Sequence, residues 1–194
     1  DSLNTFTLAL ASELTTALLQ LDGDPAVRVI IVKGAGKAFC AGIDVGDFFG
    51  KRANEYRAWI ERMETPLVTI SRMEKPVIAQ VHGVAAANGA GLVAACDLAI
   101  AADNARMGLT AINVGLNCVG PVIPVTRSVG RKRAMEMLLY GELLKAPAAL
   151  DMGLINKVVP AADLEMEARR WAAVLANKSP VAVQNAKSAF YIAA

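Results

Sequence analysis

The chain is poor in the residues on which many catalytic and metal-binding proteins depend. Its 194 residues include a single histidine, His82, and three cysteines. One histidine without a Gly-x-Ser-x-Gly turn argues against a Ser–His–Asp triad, and no Cys/His spacing suits zinc, so no metal site is expected. Cys40, Cys96 and Cys118 lie in apolar stretches without paired spacing. This pattern is typical of reduced thiols and predicts a cytoplasmic protein.

Charge and hydrophobicity exclude two further classes of partner. The formal net charge is +2 and aromatic residues make up 5% of the chain, so neither a basic surface nor stacking platforms for nucleic acid are expected. Hydrophobic residues make up 55%, but they occur in short runs broken by glycine, proline or charge. None approaches the roughly 20 apolar residues that span a bilayer. We therefore expect neither a nucleic-acid nor a membrane partner.

Strand-like and helix-like segments alternate along the chain. Continuous β-branched runs predict strands, and apolar residues at helical spacing predict helices. The predicted strands are 27–34, 75–83, one or two within 97–109, and 153–159; the predicted helices are 6–21, 56–73 with an interruption at Pro66, 125–140, 146–152, 161–177 and 180–192. This alternation favours a layered α/β fold, and the length suits one domain.

Two loops are rich in glycine and alanine and nearly free of charge. The first is GAGKAFCAGIDV (34–45), after a predicted strand; the second lies within HGVAAANGAGLVAACDLAI (82–100), between a strand and a helix. A helix N-terminus presents unpaired N–H groups, and glycine lets a ligand approach the backbone. Two such N–H groups could form an oxyanion hole for an enolate or tetrahedral oxyanion. The same glycines could instead serve tight turns and close packing, and composition leaves both interpretations open.

Four longer segments carry a recognisable pattern. They are KAFCAGIDV (37–45), KPVIAQVHGVAAANGAGLVAACDLAIAAD (75–103), VGRKRAMEMLLYGE (129–142) and ALDMGLINKVVP (149–160). Together they resemble the crotonase family, the enoyl-CoA hydratase/isomerase group. The resemblance implies an α/β fold with a crotonase-like ββα spiral core and helices toward the C-terminus. It implies a single domain over 1–194 that lacks the family's first hairpin and last helices.

The resemblance also implies a ligand and a site. The substrate would be an acyl-CoA thioester, with coenzyme A as part of the substrate and no separate cofactor, bound by a homotrimer or hexamer. The oxyanion hole would be formed by the backbone N–H groups of Ile43 and Asn88. Asn88 stands where the family usually has the middle glycine of a Gly-Gly-Gly, but any residue except proline can supply the N–H. The residues expected along the coenzyme A path and around the acyl pocket are Lys37, Ala41, Val45, Gly91, Ala111 and Asn117.

The two glutamates of the family's hydratases have no counterpart in this sequence. The matching positions are Gly91 and Ala111. Neither residue can act as the base that activates water or as the acid that protonates the α-carbon. We therefore expect a roomier and less polar pocket than in a hydratase.

Other side chains are candidates to replace these glutamates. Asp44 adjoins the first donor but is expected to bond locally. Cys118 has no cationic neighbour in sequence that would activate its thiol. Glu61 and Glu64 could swing toward the pocket, although their interpretation as surface charges is favoured. His82 is expected to be a residue of the strand end.

The sequence thus predicts an enzyme of fatty acid metabolism that processes an acyl-CoA thioester, nominally an enoyl-CoA hydratase/isomerase acting through a thioester enolate. Hydration by an unusual base, thioester hydrolysis and decarboxylation all remain open. The alternative is a non-catalytic acyl-CoA-binding protein or a partner subunit of a hetero-oligomer. Loss of both glutamates favours this alternative, and retention of both loops favours the enzyme.

Overall fold

The computed structural model describes residues 3–44, 46 and 50–193, which form an α/β fold. The helices are α1 (Leu8–Gly23), α2 (Ala53–Arg72), α3 (Asn88–Ala95), α4 (Val122–Tyr140), α5 (Ala146–Asp151), α6 (Leu164–Ala176) and α7 (Pro180–Ala193). The strands are β1 (Ile30–Lys33), β2 (Val77–Val81), β3 (Val84–Ala86), β4 (Leu98–Ala102), β5 (Arg106–Gly108), β6 (Leu144–Lys145) and β7 (Lys157–Val159). Short 3₁₀ helices cover Thr110–Val114 and Ala161–Asp163.

The strands form two small sheets that meet beside α3. The first sheet is parallel throughout, in the order β1-β2-β4-β7. The second has the order β3-β5-β6, with β3 parallel to β5 and β5 antiparallel to β6. Every residue of β2 is buried, as expected for a parallel strand covered on both faces. The chain passes from β2 into β3 through two residues, His82 and Gly83, and then enters α3, which makes one ββα unit. The predicted α/β class is confirmed.

The core lies between the sheets and the helices that cover them. Its fully buried members include Ile78 in β2, Val93 in α3, Ile100 in β4 and Met107 in β5. Burial of such a side chain contributes roughly 1.5–3 kcal/mol relative to exposure. Helix α2 packs along α1 on one side and contacts α3 on the other. Because α3 follows directly after the second glycine-rich loop, the contact with α3 places α2 next to that loop.

Helix α2 runs without interruption through Pro66, so the predicted break at that residue is wrong. A proline inside a helix removes one main-chain hydrogen bond and disfavours the helical geometry before it. The helix nevertheless continues, because its buried face extends past the proline from Met63 through Leu67 to Ile70. Packing of that face against the core outweighs the local preference.

Helix α7 is tied to the sheet by a buried ion pair. Lys187 Nζ donates to Asp97 Oδ2 at 2.7 Å and to the carbonyl oxygen of Lys75 at 2.8 Å. The hydroxyl of Tyr191 donates to Asp97 Oδ1 at 3.0 Å, and the N–H of Val77 donates to Asp97 Oδ2 at 2.7 Å. The Asp97 carboxylate therefore joins α7 to the start of β2. Within the described part of the chain, none of the helices combines the length and the apolar character needed to cross a bilayer.

Candidate active site

The two glycine-rich loops lie side by side and are joined by main-chain hydrogen bonds. The N–H of Cys40 donates to Val84 O at 3.0 Å, and the N–H of Ala86 donates to Cys40 O at 2.9 Å. These two bonds form a parallel bridge between Cys40 and Ala85. The N–H of Phe39 donates to the carbonyl oxygen of His82, the residue after β2, at 3.0 Å. The first loop is thus held against the second, directly before α3.

Glycine is required at the points where the two loops meet. A Cβ built on Gly89 would overlap the carbonyl oxygen of Cys40, and one built on Gly83 would overlap that of Lys37. Gly83 also has a φ of +59°, a conformation that favours glycine. Close packing of the second loop against the first therefore explains why these two residues are glycine. The N–H groups of Ala86 and Ala87 are bonded to Cys40 O and Gly108 O, whereas the N–H of Asn88 donates to no other described residue.

Each expected N–H donor follows a residue with positive φ. Gly42, before Ile43, has a φ of +102°, and Ala87, before Asn88, has a φ of +47° and a ψ of −113°. An alanine in this region carries strain of order 1–3 kcal/mol. A Cβ on Gly42 would lie 3.3 Å from the Cβ of Ala87, so the two turns are in contact. The chain therefore reverses at adjacent points just before both donors.

A cavity of about 370 Å³ opens beside these turns, between α2, α3 and the loop of residues 115–121. Ile43 and Asn88 both line it. Asn88 begins α3, so its N–H is one of the four that have no partner within the helix. Neither the Ile43 nor the Asn88 N–H donates a hydrogen bond to another described residue. The structure thus brings the two residues that were expected to be donors to one cavity, and their role as donors stays a prediction.

Most of the described wall of this cavity is apolar, and few of its side chains can ionise. Trp59, Ile60 and Met63 of α2 face Leu116 and Pro121 of the opposite loop. The titratable side chains among the described lining residues are Tyr56, Glu64 and Cys118. Glu64 is the carboxylic acid of this set, and the set contains no lysine, arginine or histidine.

Glu64 is half-buried in the cavity wall, so its interpretation as a surface charge is wrong. Burial raises the pKa of Glu64 to about 7, against a weaker opposing effect from the Asn88 side chain. Asn88 Nδ2 donates to Glu64 Oε1 at 3.4 Å, a long hydrogen bond. Glu61 lies one turn earlier and is exposed, as predicted. The helical spacing from Ile60 through Glu64 to Leu67 places Glu64 on the apolar face of α2, a signal in the sequence that could have identified it.

Gly91 does not widen the cavity, which corrects the expectation of a roomier pocket at this position. It is buried within α3 and is not among the residues that line the cavity. A Cβ on Gly91 would lie 2.8 Å from Pro121 Cβ and 3.1 Å from Leu67 Cδ2. The space that a larger side chain would need is therefore already filled. Ala111 differs, because it is buried and does line the cavity.

The loop of residues 115–121 contributes two further candidates to the cavity wall, Asn117 and Cys118. Asn117 is exposed, whereas Cys118 is buried. Burial raises the pKa of the Cys118 thiol, and the nearby Glu64 carboxylate raises it further. A thiol with a raised pKa is a poor nucleophile at neutral pH, in agreement with the sequence. Asn113, just before this loop, is not among the residues that line the cavity, and its side-chain Nδ2 donates to the carbonyl oxygen of Gly141 at 2.8 Å.

The residues expected along the coenzyme A path lie on or near the first loop. Lys37 is exposed and Ala41 is half-buried, with its N–H donating to Leu3 O at 3.1 Å. Val45 lies outside the described residues. Contact of Lys37 and Ala41 with coenzyme A stays a prediction.

Asp44 and His82 have local structural roles, as predicted. Asp44 Oδ1 accepts the N–H of Gly46 at 3.0 Å, a local hydrogen bond. His82 Nε2 lies 3.0 Å from the carbonyl oxygen of Gly36, so the imidazole holds the first loop against the end of β2. No group of three or more His, Cys, Asp and Glu side chains in the described ranges is placed to hold a metal ion.

The loops, the ββα unit and the cavity can be compared with those of known proteins. A family profile described as enoyl-CoA hydratase/isomerase matches residues 1–194. The chain belongs to the enoyl-CoA hydratase/isomerase family. This membership covers both loops and all of the described secondary structure.

Relatives with curated names agree with this membership. The mitochondrial enoyl-CoA hydratase domain-containing protein 3 of Rattus norvegicus is 36% identical over 189 residues, which are 97% of this chain and 63% of that protein. A putative enoyl-CoA hydratase of Thermus thermophilus is 35% identical over 184 residues, covering 92% of this chain and 72% of that protein. The chain spans 62–64% of the length of the domain-containing protein 3 sequences from rat, Xenopus laevis and human.

Solved structures of the family share the fold. The enoyl-CoA hydratase of Mycobacterium smegmatis matches with a TM-score of 0.94 at 38% identity, over 98% of this chain and 75% of that chain. The human enoyl-CoA hydratase domain-containing protein 3 matches with a TM-score of 0.93 at 36% identity, over 98% of this chain and 76% of that chain. The predicted crotonase fold is therefore confirmed.

Proposed function

We propose that the chain binds an acyl-CoA thioester and stabilises its enolate with the backbone N–H groups of Ile43 and Asn88. The observation that carries this proposal is that Ile43 and Asn88 line one cavity and that their N–H groups donate to no other described residue. Two N–H groups that bind the same carbonyl oxygen stabilise the negative charge that develops on it. Removal of one such donor costs about 10²–10³ in kcat in enzymes that use it.

The choice of substrate rests on family membership and on the character of the cavity. Relatives that are about a third identical carry the name enoyl-CoA hydratase. The described wall is mostly apolar, which suits an acyl chain, and the volume of about 370 Å³ falls in the usual range for small-molecule sites, roughly 300–1,000 Å³. The proposed reaction is enolate chemistry on this acyl group, with hydration and double-bond isomerisation as its nearest forms. Coenzyme A would extend along Lys37 and Ala41.

The polarised carbonyl can be measured directly. Butyryl-CoA labelled with ¹³C at the thioester carbonyl should show a lower C=O stretching frequency when bound than when free, because two N–H groups withdraw electron density from the oxygen. Asn88→Ala keeps the backbone N–H and should keep this shift. Gly42→Ala forces an alanine to a φ of +102° and should displace the Ile43 N–H, which weakens the shift. An unchanged frequency on binding would refute the oxyanion hole.

Turnover separates the enzyme from the non-catalytic alternative. Hydration of crotonyl-CoA should be measured beside a panel of acyl-CoA thioesters, with release of free thiol and carbon dioxide as further readouts. Turnover of any thioester supports the enzyme. Acyl-CoA binding without turnover of any member would establish the non-catalytic acyl-CoA-binding protein or partner subunit instead.

The assembly and location implied by the resemblance are further parts of the proposal. We propose a homotrimer or hexamer, which sedimentation velocity of the purified protein would test. A cytoplasmic location rests on the reduced state expected for the three cysteines. Fractionation of cells that express the protein would test it.

A further inference from the structure

We propose that Glu64 is the acid/base residue of this site, and that its carboxyl group moves a proton to and from the α-carbon of the bound thioester. This inference rests on the proposed function, since it requires a thioester whose carbonyl oxygen is bound by Ile43 and Asn88. It assigns proton transfer to α2, whereas the resemblance places the hydratase glutamates at positions 91 and 111.

The position of the carboxyl group is set by two elements besides α2. A Cβ on Gly120 would overlap the carboxyl carbon of Glu64, so the bare backbone at Gly120 provides the space that the carboxyl group occupies. The bare surface of α3 at Gly91 allows Leu67, one turn after Glu64, to pack closely against α3. Both glycines therefore bring this part of α2 toward the cavity.

Asn88 links the carboxyl group to the proposed oxyanion hole. Its side chain donates to Glu64 Oε1 at 3.4 Å, and Asn88 and Glu64 line the same cavity. Asn88 is buried, with 6% of its surface exposed, so both groups are held in place. The proposal has the α-carbon of a thioester bound at this N–H lie beside Glu64, as direct proton transfer requires.

The electrostatic surroundings leave Glu64 able to exchange its proton near neutral pH. No cation pairs with it among the described residues. The described titratable side chains that line the cavity together with Glu64 are Cys118 and Tyr56. Glu64 also lines a second cavity of about 780 Å³, whose other charged lining residues are Arg127 and the ion pair of Asp97 and Lys187. Burial holds its pKa at about 7, so both protonation states are populated.

The proposed proton transfer is balanced without any additional reactant. A Glu64 carboxylate oxygen takes the α-proton, the C–H electron pair forms a double bond between the carbonyl carbon and the α-carbon, and the carbonyl π pair moves onto oxygen. The Ile43 and Asn88 N–H groups stabilise this enolate oxygen. The carbonyl then re-forms as the enolate takes the proton back from Glu64.

A single carboxyl group suits reactions in which one proton leaves carbon and one proton returns to carbon. In D₂O the proton that Glu64 has taken is replaced by a deuteron from the solvent, and return of this deuteron to the α-carbon labels the thioester. When the acyl chain carries a double bond between C3 and C4, return to C4 moves that double bond into conjugation with the thioester. A 3-enoyl-CoA thioester is therefore a second substrate on which proton transfer by Glu64 can be measured.

The decisive measurement is deuterium uptake at the α-carbon of butyryl-CoA in D₂O, which mass spectrometry detects. A second assay measures isomerisation of a 3-enoyl-CoA to the 2-enoyl thioester. The wild-type protein should catalyse both. Glu64→Gln should lower both rates by at least about 100-fold while it still binds butyryl-CoA in calorimetry. Glu64→Asp, which keeps a carboxyl group one methylene shorter, should retain part of the rate. Glu61→Gln, on the exposed side of the same helix, is the matched control and should catalyse deuterium exchange at the wild-type rate.

Gly120→Ala provides a second variant that keeps the carboxyl group but moves it. Gly120 does not have a positive φ, so alanine is compatible with its backbone, and the added methyl group displaces the flexible end of Glu64. Exchange should fall while circular dichroism and butyryl-CoA binding are retained. The wild-type rate should also rise with pH around an apparent pKa near 7, a dependence that Glu64→Gln should lack.

The outcomes distinguish this inference from the proposed function. Wild-type exchange that persists in Glu64→Gln would overturn the role of Glu64 and leave the oxyanion hole in place. Binding of butyryl-CoA by wild type without any exchange would overturn proton transfer and favour the non-catalytic alternative. Absence of acyl-CoA binding by wild type would contradict the proposed function itself.

Discussion

The side chain of Asn88 donates a hydrogen bond to Glu64 at 3.4 Å, which joins the first residue of α3 to the middle of α2. Asn88 thus contacts the one carboxyl group among the described lining residues of the cavity, and it lines the same cavity itself.

Ionisation of Glu64 should destabilise the fold. Its pKa is raised from the ordinary value of 4.5 to about 7, so between these values the folded chain binds more protons than the unfolded chain. The free energy of unfolding should therefore fall as pH rises through this window, by at most about 3 kcal/mol. Urea denaturation at about pH 5 and about pH 8 should show this loss in wild type and not in Glu64→Gln. Parallel behaviour of the two proteins would contradict the raised pKa.

A methyl group at Gly89 should separate the two loops. Its Cβ would overlap the carbonyl oxygen of Cys40, which is backbone and cannot move without opening the bridge to Ala85. Gly89→Ala should lower the free energy of unfolding by about 1–3 kcal/mol and abolish acyl-CoA binding. Gly23→Ala is the control, because no atom lies within 4 Å of its Cβ position, and it should leave stability unchanged or slightly higher.

Relief of backbone strain at Ala87 should stabilise the protein. Its φ of +47° and ψ of −113° match the first central position of a type II′ turn, where glycine is strongly preferred. Ala87→Gly should raise the free energy of unfolding by about 1 kcal/mol, because the backbone strain that is relieved exceeds the entropy cost of the more flexible unfolded chain. Ala90→Gly, inside α3, should instead lower it by about 1 kcal/mol. Thermal unfolding of both variants tests the difference in sign, and a loss of stability in both would argue against strain at residue 87.

A glutamate restored at Gly91 should not create a hydratase. Its Cβ would already lie 2.8 Å from Pro121 Cβ and 3.1 Å from Leu67 Cδ2, so the side chain would overpack this region. Gly91→Glu should therefore lower stability by about 2 kcal/mol or more and give no gain in hydration of crotonyl-CoA. Ala111→Glu, which lines the cavity, is the informative comparison. Hydration gained by Gly91→Glu in a stable protein would show that Pro121 is easily displaced.

Loss of the Asp97 carboxylate should release α7. Asp97→Ala leaves Lys187 buried, with 6% of its side chain exposed, and without its counter-charge. Such a broken buried pair costs about 3–5 kcal/mol. Tyr191→Phe removes only one hydrogen bond to the same carboxylate and should cost about 1 kcal/mol. Urea denaturation measures both, and equal losses would mean that the ion pair is not what holds α7.

The periodic and glycine-rich parts of the sequence determine most of the fold. The buried runs at β2 and β4 are continuous, so these strands and the turn into α3 follow from local pattern. Strand β3 does not, because the local pattern predicts a glycine-rich loop there and the ββα core is expected only from the resemblance. The positions of the two loops follow from the same segments. The roles of Ile43 and Asn88 remain predictions of the resemblance, now joined by their common cavity.

Tertiary structure decided the rest, because it depends on residues that are far apart along the chain. The two-residue strand β6 exists only through its pairing with β5, and α2 continues through Pro66 only because its buried face is covered. Gly91 lies in a filled space because Pro121 and Leu67 reach it from two other elements. The same packing turns Glu64 from a surface charge into a buried carboxylic acid, since burial is set by what α2 packs against and not by the residues beside Glu64 in sequence.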